Sequence, residues 1–172
     1  MTTIKTEKFI LRPYKKRDEV SLRRSINDRV IARNTLRIPY PYTSKDAKEW
    51  IRKNLKNYKK KKPTEIHFVI DINGDVIGGI GFTEIESHQA EISYWLAPKY
   101  WGKGIMTLAI KKVTNFGFEK LKLKRIYACV FPFNKASMRV LGKNGYKLEG
   151  ILRKEVKKGK KLIDDYLFAK VK

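Results

Sequence analysis

The 172 residues include 42% hydrophobic side chains, enough for one domain with a sizeable core over residues 1–172. Lysine and arginine outnumber aspartate and glutamate by 40 to 17, a formal net charge of +23. The longest uncharged run, Ile126–Asn134, is far shorter than the roughly 18 residues of a membrane helix, and one cysteine with two histidines excludes an internal disulfide and a zinc centre.

The start, Met1-Thr-Thr-Ile-Lys, lacks the apolar segment of a secretory signal, so a cytoplasmic protein is expected, with no membrane partner. Glu7–Pro13 reads as a strand stopped by Pro13. Arg17–Ile26 reads as a short helix, and Arg33–Tyr42, with Pro39 and Pro41, as a loop. Thr43 or Ser44 then caps a helix whose Ala47, Trp50, Ile51, Leu55 and Tyr58 recur with helical spacing. After Pro63, Glu65–Asp71 and Val76–Thr83 are strands joined at Asn73-Gly74, a strong hairpin signal. Gly78, Gly79 and Gly81 in the second strand predict a bulge or a close backbone approach. Gln89–Leu96 is the next strand. Pro98–Gly104 turns into a helix reaching about Leu121, with Ile105, Ala109, Val113 and Phe116 on one face. Lys124–Val130 is a strand, and Asn134 opens a short helix ended by Gly145. Tyr146–Leu152 and Leu162–Val171 close the chain as a hairpin through Lys158-Gly159. The order predicts one α/β domain with a mixed sheet.

The positive charge is clustered: Lys53–Lys62 and Arg153–Lys161 each hold six basic residues. Lys45, Lys48, Arg52, Lys56 and Lys59 fall opposite the apolar stripe of their helix, as a solvated face would. Tyr58 is the single aromatic residue within the two clusters, short of the interleaving that a single-strand nucleic-acid platform needs. Non-specific attraction for polyanions is expected. His67 and His88 receive no role, and Cys129 reads as a structural thiol.

Chemistry concentrates in Glu91–Thr107. A strand stops, Gly102 and Gly104 follow, and a helix begins with no acid in its first turn. Unpaired amides and partial positive charge at such an end suit phosphate, and glycines let backbone wrap an anion. Gly102-Lys103-Gly104 also reads as a plain tight turn. The segment Lys99-Tyr-Trp-Gly102-Lys-Gly104 resembles the acyl-CoA motif Gln/Arg-x-x-Gly-x-Gly/Ala of the GNAT N-acetyltransferases, departing at its first position. Tyr94-Trp95-Leu96, Leu11-Arg12-Pro13, and Asn134-Lys-Ala-Ser137 with Lys143-Asn-Gly145-Tyr146 and Glu149-Gly150 are similar to the ribosomal-protein (RimJ/RimL-type) branch.

The resemblance implies a mixed, mostly antiparallel sheet of about seven strands flanked by about four helices, with Gln89–Leu96 bulged and splayed from Lys124–Val130. It implies acetyl-CoA as co-substrate and no metal. Backbone groups of Tyr94, Trp95 and Leu96 would pair with pantetheine, one amide serving as oxyanion donor. Amides of Gly102, Lys103, Gly104, Ile105, Met106 and Thr107 would hold the diphosphate beside Lys99. Asn134 would meet the pantetheine arm and Lys143 the 3′-phosphate. An amine would attack the thioester directly. Ser137 is the candidate acid for the leaving thiolate, with helix capping as its other reading, because Leu141 stands where many relatives carry a tyrosine. Glu91 is the candidate base, with a surface carboxylate as its other reading. The loop Arg33–Tyr42 and the region Asp164–Tyr166 would line the acceptor side.

Only a neutral amine attacks. At pH 7 an α-amine near pKa 8 is about 10% neutral and a lysine-like amine about 0.04%, a gap of roughly 3.3 kcal/mol that a dedicated base must cover. One candidate base favours a protein N-terminus as acceptor, and a +23 surface disfavours a polycation at long range. A small-molecule amine acceptor, a non-catalytic acyl-CoA-binding module and a nucleic-acid-binding protein are the competing readings. Relatives of this kind include dimers, and the sequence leaves the oligomeric state open between monomer and homodimer.

Overall fold

Asn73 and Gly74 turn at φ of 53° and 88°, and the strands beside them, β3 (Ile66–Ile72) and β4 (Asp75–Thr83), form the predicted antiparallel hairpin. The molecule is described here by a computed structural model covering residues 2–172. The hairpin is widened into one sheet by β1 (Ile4–Lys5), β2 (Ile10–Arg12), β5 (Gln89–Leu96), β6 (Arg125–Val130), β7 (Lys147–Lys158) and β8 (Lys161–Val171). The order across it is β1-β2-β3-β4-β5-β6-β8-β7, and every neighbouring pair is antiparallel except β5 and β6.

Each face of the sheet buries a separate apolar layer. One carries α4 (Ile105–Glu119) and α5 (Lys135–Lys143), with Ile105, Ala109, Ile110, Val113 and Leu141 packed on Ile92, Leu96, Ile126 and Ala128. The opposite face carries α1 (Glu19–Ile26), α2 (Arg29–Asn34) and α3 (Ser44–Asn57), where Leu22, Ile26, Ile31, Ala47 and Ile51 cover Val69 and Val76. Thr43 and Asp46 cap α3 reciprocally, as its sequence suggests: the Asp46 amide donates to the Thr43 hydroxyl, and the Thr43 amide to the Asp46 carboxylate. Arg12 locks the two ends of this layer, donating from buried nitrogens to Asp18 and, at 2.6 Å, to Asp71.

Four differences from the sequence reading have local causes. The strand expected from Glu7 begins at Ile10, because the Thr6 hydroxyl and the Phe9 backbone close a turn that folds Ile4–Lys5 back as a separate strand. The loop expected from Arg33 is shortened by α2. This helix is capped by Asp28 and buries only Ile31, so it leaves no periodic trace. The basic run Arg153–Lys161 is mostly strand, since β7 continues to Lys158 through irregularities at Glu149 and around Lys154. The glycine-rich β4 does carry its bulge, an extra residue at Ile77, whereas no bulge interrupts β5 on β4. Close approach also operates: a Cβ at Gly79 would lie 2.6 Å from the Trp95 indole nitrogen and 2.8 Å from the Tyr14 hydroxyl. Among the described residues no helix is long and apolar enough to cross a membrane.

Candidate active site

The parallel pair β5–β6 is joined over only three residues, from Gln89↔Arg125 to Glu91↔Tyr127. Beyond that point each strand keeps its other neighbour: β5 stays on β4 as far as Leu96, and β6 stays on β8 as far as Val130. The two strands therefore part, and a wedge opens between Ile92–Leu96 and Ala128–Val130. The Ala97 amide donates to the Ile77 carbonyl in β4. Alternation along the strand then turns the Trp95 backbone toward β4, and the Tyr94 and Leu96 backbone toward the wedge. Of the three residues expected to offer backbone groups here, Trp95 is thus the exception, with its side chain lying against Gly79.

At the open end of the wedge, β5 runs through a single turn at Pro98–Tyr100 into Gly102 and Gly104, whose φ values are 75° and 74°. Trp101 anchors this turn by donating from its indole to the Leu96 carbonyl at 2.8 Å. Leu108 makes the first intrahelical bond, to Gly104, so among the described residues the amides of Gly102–Thr107 meet no protein acceptor. No acid stands in the first turn of α4. Lys99 and Lys103 hold their ammonium groups over the Tyr100 ring. Lys8, which sequence reasoning missed, reaches from the β1–β2 turn to donate to the Lys103 carbonyl. Beside Gly104 the space is open, with the Lys8 ammonium at 3.9 Å as the nearest atom to a Cβ built there. These exposed donors, with positive charge around them, fit the diphosphate of a coenzyme A.

The second helix on this face starts at the wedge too. Asn134 caps α5, its side-chain oxygen accepting the Ser137 amide at 3.2 Å. Capping therefore belongs to Asn134, and the Ser137 hydroxyl is left to bond the Tyr94 hydroxyl at 2.7 Å. Tyr94 was singled out for its backbone alone; its side chain, on the α4 face, links β5 to α5 across the wedge. Burial raises its phenol. Leu141 is fully buried core. Lys143 is exposed in the last turn of α5, next to Asn144, whose side chain donates to the Thr107 carbonyl at 3.2 Å and so ties that end of α5 to the start of α4.

The opposite face of the wedge is acidic. Glu91 points there with Thr83, Ser93 and Trp95, and accepts the Thr83 hydroxyl at 3.1 Å. Burial raises its carboxyl, reinforced by Glu84 and opposed by the Thr83 bond and Arg37. Tyr127, paired with Glu91, donates to Glu84 at 2.8 Å. Cys129 follows on the same face of β6, and burial among Asp165, Glu91, Glu84 and Glu155 pushes its thiol up to about 12, so it stays protonated. Overhead, the Lys158 ammonium joins β7 to the end of α2, donating to the carbonyls of Ala32 at 2.6 Å, Arg33 at 2.9 Å and Thr35. Glu84, Tyr127 and Asp165 went unnoticed as single residues in the sequence. Alternation along Arg125–Val130 marks Tyr127 and Cys129 as sharing a face, but no local pattern brings the acids to them.

The Acetyltransferase (GNAT) domain profile matches residues 8–147. The probable N-acetyltransferase YjcK of Bacillus subtilis is 42% identical over 113 residues, 62% of each chain. The alignments with the first curated relatives span 46–62% of the relatives' own length. A GNAT-family acetyltransferase structure from Bacillus anthracis superposes with a TM-score of 0.85 at 25% identity, covering 99% of this chain and 98% of that one. RimL, a ribosomal L7/L12 alpha-N-protein acetyltransferase solved with coenzyme A, shares the fold at a TM-score of 0.88 and 18% identity, with 99% and 98% covered. A splayed parallel pair, a glycine-turned helix start beside it and a profile match over most of the chain agree: this protein belongs to the acetyltransferase (GNAT) domain family.

Proposed function

We propose that the protein transfers the acetyl group of acetyl-CoA to a primary amine by direct attack, with a protein N-terminal α-amine as acceptor, in the manner of the RimJ/RimL-type branch. The observation that carries this reading is the wedge between β5 and β6, with free amides at its open end, a hydroxyl pair on one face and a half-buried carboxylate on the other. Amides of Gly102–Thr107, with Lys8, Lys99 and Lys103, hold the diphosphate. Backbone groups of Tyr94 and Leu96 pair with the pantetheine arm, and an amide there polarises the thioester carbonyl. Asn134 abuts the arm and Lys143 meets the 3′-phosphate.

Glu91 takes a proton from the incoming ammonium, and the neutral nitrogen attacks the carbonyl carbon. The C–S bond then breaks, sulfur takes a proton from the Tyr94–Ser137 pair, and the second proton shed by the acylated nitrogen restores that pair by way of solvent. Both hydroxyls are protonated throughout the working range. A thiolate freed in this dry wedge is a strong base, as the raised thiol of Cys129 on the neighbouring strand illustrates. The protein provides an acid on one face of the sheet and a base on the other, so the two proton transfers do not compete for one group.

A second acceptor class has one observation in its favour. The surface as a whole repels a polycation, but the wall around Glu91 carries Glu84, Glu155 and Asp165, so attraction replaces repulsion at close range. The spermidine N(1)-acetyltransferase of Escherichia coli is 32% identical over 94 residues, 54% of this chain and 50% of that one. Thiol release from acetyl-CoA, measured with a panel of N-terminal peptides and a panel of di- and polyamines, decides the matter. Turnover with α-amino peptides but not with amines of the second panel is expected. Turnover confined to polyamines moves the acceptor to that class, and coenzyme A binding without turnover on either panel makes the chain a non-catalytic module.

A further inference from the structure

Arg12, Arg24 and Arg125 are each held in a fixed pose by acids: Asp18 and Asp71, Asp75, and Glu149. Arg33 is held too, but by a ring. Its guanidinium lies over Phe133, 5.1 Å from the centroid. Stacking uses the flat face of the group and leaves the N–H donors along its edge free for a planar acceptor. The side chain is exposed, and among the described residues no carboxylate or carbonyl takes up those donors. Contacts place this fork at the wedge. Phe133 packs on Phe131 with centroids 5.5 Å apart. Phe131 directly follows β6 and continues the row of Tyr127 and Cys129 on the acceptor face. Its carbonyl accepts the Asn134 amide at 2.9 Å, closing the turn that opens α5. Lys158 fixes the same group from behind: it donates to the carbonyls of Ala32, Arg33 and Thr35 while lying over the Phe131 ring at 5.2 Å. A fork oriented before its ligand arrives loses little freedom on binding.

We propose that Arg33, seated on Phe133, is a specificity-determining residue that binds the carboxylate of an acidic side chain close behind the reacting amine, so that the preferred acceptor is a peptide with aspartate or glutamate near its N-terminus. This deepens the acetyl-transfer reading and rests on it for the presence of a peptide acceptor. Two ring layers separate the fork from β6, a span that about three residues of extended chain cover, which puts the acid at the second to fourth residue. The amine is drawn to Glu91 and the acidic side chain to Arg33. A polyamine carries no anion, leaves the fork unused and is repelled by it. One turn away on α2, Arg29 lies over Tyr40 at 5.2 Å from the centroid. It has the same charge on the same helix, but its ring belongs to the loop before α3 and not to the turn after β6. Arg29 therefore separates a contact made by Arg33 from the general attraction of a +23 chain for acidic peptides.

The test is kcat and KM for N-terminal peptides that differ only in glutamate against glutamine at the second, third or fourth residue, with the wild type, Arg33→Gln and Arg29→Gln, thermal melting confirming the fold of each. In the wild type, glutamate at one of these positions should lower acceptor KM about three- to tenfold with kcat unchanged, since the contact is equal in ground and transition states. Arg33→Gln should erase that difference and Arg29→Gln should keep it. Equal KM for all peptides in the wild type overturns the proposal without any variant. Equal losses in Arg33→Gln and Arg29→Gln overturn it too, because they would report long-range attraction and not a contact. Phe133→Leu leaves both charges and removes the seat, so it should weaken the preference at least twofold, and an undiminished preference overturns the stacked pose. The same peptides, titrated by calorimetry into protein saturated with coenzyme A, separate the two readings. A glutamate preference in binding that Arg33→Gln loses, without turnover of any peptide, keeps the subsite and removes the transferase. Turnover of every peptide without preference does the reverse.

Discussion

The two faces of the wedge are built by different means. On the α4 face the groups are backbone amides and short-range turns: Gly102 and Gly104 at positive φ, a helix start, and an asparagine cap three residues before its serine. On the other face the groups are side chains delivered by β4, β5, β6, β7 and β8. The first face is positive, with Lys8, Lys99 and Lys103 at its edge, and the second is acidic inside a chain of +23. A donor that is the same for every member of a family can be held by backbone, which varies little with sequence. An acceptor that differs needs side chains, which can be exchanged one at a time.

The sharpest break between the faces is Glu91→Gln. It should lower kcat by about 10²–10⁴ and leave coenzyme A affinity unchanged, since no part of the phosphate cradle touches it. Steady-state rates with calorimetry check both halves, and retention of more than a tenth of the activity would remove Glu91 from the chemistry. Gly104→Val is the converse. The space beside Gly104 is open, so the damage comes from φ rather than from a clash: a β-branched residue at 74° is strained by about 1–2 kcal/mol. Relief of that strain turns the amides away, and calorimetry should show coenzyme A binding about tenfold weaker or worse. Tyr94→Phe and Ser137→Ala should each slow kcat about tenfold with little change in KM. Because the two hydroxyls share one bond, the double variant should be barely slower than either single. Additive losses would show that they act separately.

The same division explains what could be read from the chain beforehand. The Asn73-Gly74 turn, the Thr43 cap and the glycine-flanked start of α4 are local, and their chemistry is written in neighbouring residues. The strands β3, β4, β5, β6 and β8 lie within a residue of their expected bounds, whereas β2 starts three residues late, β7 runs six residues beyond Leu152 and β1 left no signal of its own. What escaped depends on contacts far apart in the chain. The Tyr94–Ser137 bond spans 43 residues and the Tyr127–Glu84 bond another 43, and neither has a periodic or motif signature. Asp165 sits in Asp164-Asp165-Tyr166, where sequence offers two adjacent acids and strand parity alone decides between them: Asp164 accepts the Lys154 amide at the surface, and Asp165 turns inward. The helix α2 was missed for a different reason, being too short for amphipathic spacing to register.

The smallest expected effect concerns how the acidic face is kept in place. Lys158 lies at the far end of β7, yet its ammonium ends at the last carbonyls of α2, over the Phe131 ring at 5.2 Å. Cations favour helix C-termini, and α2 has only a turn and a half of its own, so this tether from 120 or more residues away does much of the fastening. It also holds the segment after α2, which brings Arg37 near Glu91. Lys158→Met keeps most of the aliphatic stem and removes the donors, at a cost of about 1 kcal/mol in stability. If the tether serves the acceptor face alone, acceptor KM should rise about threefold while coenzyme A affinity and kcat hold, since uniform binding is what is lost. A matching loss of coenzyme A affinity would mean that the two faces are mechanically coupled through β6, and that backbone and side-chain walls of the wedge move as one.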